Sequence, residues 1–341
     1  MSRWLTTTTI PSTQAVKHRV LPRLITGQEI VLIGIIAVLW ILLGIYTPSF
    51  LTPGSILPLF VAVAPIALIG VGMTFVIITA GIDVSVGAIL TVAAVITTKT
   101  MVETGIPLLP AVGLAMLVGL ALGLINGFLV AYGRIQAIII TFGTANLFTF
   151  LALRIFGSST VNGIPSTFEV FGRGEAGRTL GIPHSFAITL LIAAAAWWFL
   201  RHTVIGRHFF AIGGDENAAR LAGIKVRPLV LSAYALTGLL AGLAACFIVA
   251  QGTSTLDQSV GAGRELSVIA AVVIGGTSTL GGRGSILGTI LGALLVQTVL
   301  SGVTQLGWPS QLGDLFVGAA IILAVGTDII RERARKKKTH S

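Results

Sequence analysis

The sequence carries little charge. Asp, Glu, Lys and Arg make up only 10% of 341 residues, less than half the ~25% of an average soluble domain. Acids are the scarcer sign, 12 against 22 bases, for a net charge of +10. With 54% hydrophobic residues and a mean hydropathy of +0.97, this excludes an ordinary soluble protein, a disordered chain and a collagen-like repeat. Cysteine is nearly absent, and Cys246 alone excludes an intrachain disulfide framework or a Cys-based metal site. No G-x-x-x-x-G-K-[ST] nucleotide loop occurs. The five histidines, His18, His184, His202, His208 and His340, form no H-E-x-x-H pair, so no metal is expected. Ionisable residues at membrane depth are functional candidates by default, and they are few. Asp83 stands out, with Glu29, Asp314 and Asp328 nearer the ends of apolar runs. A proton relay needs a chain of carboxylates and histidines, and an intramembrane protease needs paired aspartates or a Ser–His arrangement. Neither is found, so the chain is not expected to be an enzyme.

What is abundant is glycine, 42 residues, and long apolar runs. A membrane helix needs about 20 apolar residues. Ten candidate spans fall at roughly 29–46, 56–80, 84–98, 107–132, 136–156, 184–200, 229–250, 265–280, 285–305 and 311–330. The third and eighth are short and flanked by glycine. The fold expected is an all-α polytopic transmembrane helical bundle of about ten spans, with both termini cytoplasmic. Gly113, Gly119, Gly123 and Gly127 predict close helix packing inside the chain.

The bases are distributed by topology. With the N-terminus inside, ten spans collect on the inner side Arg3, Lys17, Arg19, Arg23, Arg134, Arg201, Arg207, Arg220, Lys225, Arg227, Arg283 and the six bases of the 331–338 tail. The outer loops receive Lys99, Arg173 and Arg178, and Arg154 and Arg264 sit at outer span ends. This follows the positive-inside bias and sets the basic excess against an anionic leaflet rather than a nucleic acid. The first span reads as an uncleaved anchor. The expected organisation is a tail at 1–28, a membrane domain at 29–330 and a basic tail at 331–341.

The inner segment 201–228 has a readable pattern. Gly213 and Gly214 are expected to break the chain. Asp215 is placed to cap a short helix over Glu216–Ala222, with Gly223 as its stop. Such a helix is about 10 Å long, and Ala218, Ala219 and Ala222 give it a small face that suits a groove on another protein.

The same segment, G-R-x-x-x-A-I-G-G-x-x-x-A-A-x-x-x-G-I, resembles the cytoplasmic coupling motif of ABC importer permeases, in the version of the monosaccharide importers. Gly81-Ile82-Asp83-Val84-Ser85-Val86-Gly87 resembles that family's first signature. Glu265-Leu266, Gly275-Gly276-Thr277 and Gly281-Gly282-x-Gly284 resemble its last. Gln136 replaces a usual proline, and Phe148-Thr149-Phe150 replaces a usual Arg-Gly stretch.

The resemblance implies a permease that binds no cofactor itself and works beside several partners. These are a second permease copy or paralogue, a cytoplasmic ABC ATPase that holds ATP and Mg, and a periplasmic or lipid-anchored sugar-binding protein. It implies residence in the bacterial plasma (inner) membrane. Gly206, Arg207, Gly213, Glu216, Ala218, Ala219, Gly223 and Ile224 would couple to the ATPase. Gly81, Asp83, Ser85, Gly87, Glu265, Gly275, Gly276, Gly281, Gly282 and Gly284 would be structural. Asp83 is expected to cap the helix that follows it, and the 275–284 glycines to permit a re-entrant turn or close contact. A path for a polar solute needs uncharged polar groups, and Asn126, Thr141, Thr144, Asn146, Gln251 and Gln297 lie in or near spans. The alternatives are a related permease for another small polar solute (a furanosyl signal molecule, a nucleoside or a branched-chain amino acid) or a stand-alone channel. Residues 76–95 and 273–292 are also read as a possible parallel repeat.

Overall fold

The computed structural model describes residues 27–339 apart from 134, 158, 173 and 253, with side chains described to residue 326. Arg3, Lys17, His18, Arg19, Arg23, Arg134, Arg173 and His340 fall outside the described residues. Five helices come first: α1 (Gly27–Tyr46), α2 (Pro53–Ile78), α3 (Val86–Thr104), α4 (Leu108–Gly133) and α5 (Ala137–Phe156). A compact cap follows, with β1 (Val161–Asn162), a 3-10 turn over Ser166–Phe171, and a hairpin of β2 (Arg178–Thr179) and β3 (Ile182–Pro183). Then come α6 (His184–His202), α7 (Val204–Gly214), α8 (Glu216–Leu221) and α9 (Val226–Val249). The chain ends in β4 (Thr255–Leu256), α10 (Arg264–Ile274), α11 (Ile286–Gln305) and α12 (Gln311–Thr339). β4 pairs antiparallel with β1, Val161 opposite Leu256, and closes the cap over one end of the bundle. The other end carries α7 and α8.

Eight described helices, α1 to α6, α9 and α11, are long and apolar enough to cross a membrane. The short third candidate is a full 19-residue helix. The eighth candidate, 265–280, differs from expectation. It forms only the 11-residue α10, about 16 Å at 1.5 Å per residue, too short to cross ~30 Å of hydrocarbon. Glycines bound it: Gly263 and Gly276 have φ of 75° and 96°, conformations that end a helix at either side.

The middle of the bundle is α2, buried along nearly its whole length. It is hydrophobic all round because every face meets another helix. Pro65 lies inside it and has no N–H for the Val61 carbonyl. The Gln251 carboxamide donates to Val61 O at 3.0 Å, and Gln297 donates to Ala62 O at 3.1 Å. Thr189 Oγ1 donates to Ala64 O at 3.2 Å. Three other segments thus hydrogen-bond the backbone around this proline. Freed carbonyls in an apolar interior need such partners.

The tightest helix pair is α4 with α9. Gly119, Gly123 and Gly127 lie against the backbone of Gly238, Gly242, Tyr234 and Leu231. Gly113 meets nothing within 4 Å and is not part of this seam. Outward faces of α1, α4, α5 and α6 leave large apolar side chains exposed, among them Ile41, Leu117, Phe142, Phe150 and Leu191. A lipid environment accounts for this surface.

Candidate functional site

Segment 203–225 is helical almost throughout. Thr203 caps α7, its Oγ1 accepting from Gly206 N at 2.9 Å. A β-carbon on Gly206 would be 2.6 Å from Leu200 Cα, so glycine lets α7 fold back tightly on α6. The glycines at 213 and 214 do not break the helix as expected. α7 runs through both, and the chain turns at Asp215 in extended backbone. Asp215 Oδ1 accepts from Ala218 N at 2.9 Å, the N-cap arrangement that satisfies an orphan amide of α8. Gly223 has φ of 82° and stops the element.

The free face of α8 differs from the one expected. Ala219 turns inward and packs with Ile212 and Val226, and Ile224 N donates to Ala219 O at 3.1 Å. Ala218, Ala222 and Leu221 face outward. Leu221 is 90% exposed. Sequence reading missed this residue, although its position beside the alanines of a capped helix was visible. Glu216 and Arg220 pair one turn apart on the surface, and Arg207 is exposed on α7.

Behind this element Asp83, Ser85, Asn126 and Thr141 form a polar cluster. The 79–85 turn joins α2 to α3. Ser85 N and Ser85 Oγ donate to Asp83 Oδ1 at 2.9 and 2.6 Å, and Asn126 Nδ2 donates to Ser85 Oγ at 2.6 Å. Asp83 is fully buried. It partners the amide of Ser85, just before α3, rather than an amide within the helix. Thr141 Oγ1 accepts from Val84 N at 3.2 Å and donates to Ile82 O at 3.1 Å, tying the turn to α5. Asp83 Oδ2, Asn126 Oδ1 and the Tyr234 hydroxyl have no hydrogen-bond partner among the described residues.

The two signatures touch. A β-carbon on Gly87 would collide with Glu265 Oε2 and lie 2.6 Å from Gly261 O. Gly275 lies against Gly288 backbone, and Gly276 against Gln28. The 275–285 turn is therefore both a tight turn and a close contact. Its neighbouring helices end at Ile274 and restart at Ile286, as α2 ends at Ile78 and α3 restarts at Val86. The two helix–turn–helix units share a form, but the second turn is four residues longer. One fixed offset between 76–95 and 273–292 therefore cannot align both flanking helices.

The six path candidates do not gather on one surface. Asn126, Thr141, Thr144 and Gln297 are buried and engaged in internal hydrogen bonds. Asn146 lines a largely apolar cleft of about 290 Å³ that also receives Thr91, Thr149, Gln258 and Glu265. Gln251 lines a separate cavity of about 620 Å³ beside Pro58 and Arg178 at the capped end. A third cavity, about 680 Å³, lies between the 79–81 turn, the α4–α5 connection and α8, with Glu216, Arg220, Arg227 and Tyr234 on its walls. Sequence spacing placed these residues in spans but not on faces.

A bundle of membrane-length helices, capped at one end and bearing a solvent-exposed capped helix at the other, defines a multi-pass membrane protein. Residues 55–325 match the model of the family described as branched-chain amino acid transport system / permease component, and the chain belongs to that family. It is 38% identical over 300 residues to the ribose import permease protein of Escherichia coli strain K12, covering 88% of this chain and 91% of that one. It is 40% identical over 294 residues to the ribose import permease protein of Bacillus subtilis strain 168, covering 85% and 89%. It is 35% identical over 295 residues to the D-allose transport system permease protein of Escherichia coli strain K12, covering 86% and 89%. No solved structure matches. The chain is a multi-pass protein of the bacterial inner membrane.

Proposed function

We propose that this chain is the membrane-spanning permease subunit of an ATP-driven ABC importer and carries a monosaccharide. The relatives named for ribose and D-allose support the substrate class. The observation that carries the ATP-driven part is α8: a capped helix presenting an exposed leucine beside two alanines. A stand-alone pore has no use for it. An apolar side chain on a small-faced helix is suited to a groove on a partner protein.

In this reading the α8 end faces the cytoplasm. Six of the bases lie there (Arg201, Arg207, Arg220, Lys225, Arg227 and Arg283), as the positive-inside bias favours. The partner ATPase holds ATP and Mg and hydrolyses the nucleotide. A periplasmic or lipid-anchored binding protein delivers the sugar at the capped end, and a second permease copy or paralogue completes the pore. The permease itself breaks no covalent bond. It changes which end is open when the ATPase moves α8, a rigid-body switch.

The test is co-purification in mild detergent with the neighbouring ATPase subunit. Wild type is compared with Leu221→Asp and Gly223→Arg. The first puts a charge on the exposed face. The second puts a side chain on a backbone at φ of 82°. Wild type is expected to retain the ATPase, and both variants to lose it while still eluting as folded protein. Failure of wild type to bind any ATPase would exclude the importer reading.

A further inference from the structure

The glycine-rich turn at 275–285 does more than connect two helices. The last carbonyl of α2, on Ile78, has no partner within its own helix, as at any helix end. Gly282 N–H donates to it at 2.9 Å. Gly213, in the last turn of α7, lies flat on this hydrogen bond. A β-carbon on Gly213 would overlap both Ile78 O and Gly282 N. One on Gly281 would be 2.8 Å from Gly213 O and 2.9 Å from Ala80 Cβ, and one on Gly282 would be 3.0 Å from Gly214 N. Three backbone segments therefore touch with no side chain between them.

The junction is held from behind. Ser285 caps α11 by accepting from Gly288 N at 3.1 Å and donates its own hydroxyl proton to Glu29 of α1. Thr289 of α11 and Thr74 of α2 share a buried hydrogen bond of 2.7 Å. Elsewhere α7 meets α2 through rings, Phe209 against Phe75 at 5.3 Å. Rings can change rotamer and absorb a displacement. Two backbones in contact cannot, because packed interiors are stiff.

We propose that this junction is the contact through which movement of α7 and α8 is passed to α2 and α11, with Gly213, Gly281 and Gly282 as positioning residues of the transport cycle. It rests on the reading of α8 as the ATPase docking element. Gly213 faces the bundle, not the partner, so docking and transmission separate. The neighbouring Gly214 is the internal control. A β-carbon there meets nothing within 4 Å, and its φ is not positive.

The experiment reconstitutes permease, ATPase subunit and binding protein in proteoliposomes, and measures sugar uptake per ATP hydrolysed. Gly213→Ala is expected to keep the ATPase bound while uptake per ATP falls about tenfold, within the usual range of a coupling free energy. Gly214→Ala is expected to match wild type. A purely structural defect lowers the amount of active complex without changing that ratio. A wild-type ratio in Gly213→Ala, or an equal loss in Gly214→Ala, overturns the proposal.

A second measurement needs no variant. Hydrogen exchange in the peptide covering 276–284 is followed in the wild-type complex with and without ATP. A change on ATP binding is expected, and no change overturns the proposal even if Gly213→Ala does not fold. Loss of the ATPase from the wild-type complex would overturn the importer reading and this proposal together. An unaltered ratio in Gly213→Ala with the ATPase still bound overturns this proposal alone.

Discussion

The α4–α9 seam allows a sharp test by one substitution made twice on one helix. A β-carbon at Gly123 would sit 2.5 Å from Tyr234 O and 3.0 Å from Gly238 Cα. An ordinary carbon–oxygen contact is about 3.3 Å, so α9 must recede by roughly 0.8 Å. That recession opens the Gly119 and Gly127 contacts as well. It also moves Tyr234, whose hydroxyl lies over Gly81. Overpacking of this kind costs about 1–3 kcal/mol, from which up to ~1 kcal/mol is recovered by replacing glycine inside a helix. Gly123→Ala should therefore destabilise by up to about 2 kcal/mol. Gly113→Ala makes the same exchange where nothing lies within 4 Å, and should stabilise by about 0.5–1 kcal/mol. Thermal unfolding of wild type and both variants in one detergent reads the difference. The midpoints should move in opposite directions, by a few degrees at most, since ~1 kcal/mol shifts a protein of 150–250 residues by about 2–4 °C. A Gly123→Ala midpoint at or above wild type would refute close backbone packing as the basis of this seam. So would an equal fall in Gly113→Ala.

Further outcomes follow from polar side chains that bond the ends and bends of the helices. Asp83→Ala leaves the buried Ser85 amide without its acceptor and should cost about 1–3 kcal/mol, whereas Asp83→Asn keeps an acceptor in place and should unfold near wild type. Equal unfolding midpoints for Asp83→Ala and Asp83→Asn would contradict it. Gln251→Leu should cost about 1 kcal/mol in wild type and much less in a Pro65→Ala background, where residue 65 can donate to Val61 O itself; a double-mutant cycle with no coupling would show that Gln251 does not partner the proline. Lys99 Nζ donates to Ile155 O at 2.6 Å near the C-terminal end of α5, so Lys99→Met should lower the unfolding midpoint slightly, and an unchanged midpoint would mean the bond contributes nothing.

Much of the architecture was legible because membrane helices announce themselves by length. Runs of about 20 apolar residues can satisfy their backbone only as helices, so eight of the ten candidates emerge as membrane-length elements. The eighth failed because apolar composition continues through Gly275 and Gly276, where the backbone departs from the helix. The α8 cap was legible because Asp215, Glu216 and Gly223 act locally, through bonds three residues apart. Its outward face was not legible, since Ala218, Ala219 and Ala222 look alike in sequence and only packing with Ile212 and Val226 turns one of them in.

The polar residues in the spans show the same divide. Asn126, Thr141 and Gln297 are candidates for the path in sequence, although a polar group in a span more often makes an interhelical hydrogen bond. Composition states that a polar group is present, but not which way it points. Neither the partnering of Pro65 by Gln251 nor the meeting of Gly87 with Glu265 has any trace in local pattern, because each joins residues far apart in the chain.

The sequence by itself determined what is enforced one residue or one turn at a time: a lipid solvent, helices as the spanning element and the cap of α8 at Asp215. The tertiary structure alone decided which glycines carry contact. Gly213 and Gly214 are adjacent and chemically identical. One seals the ends of three elements and the other faces open space, because only the packed backbone sets which of them meets Ile78.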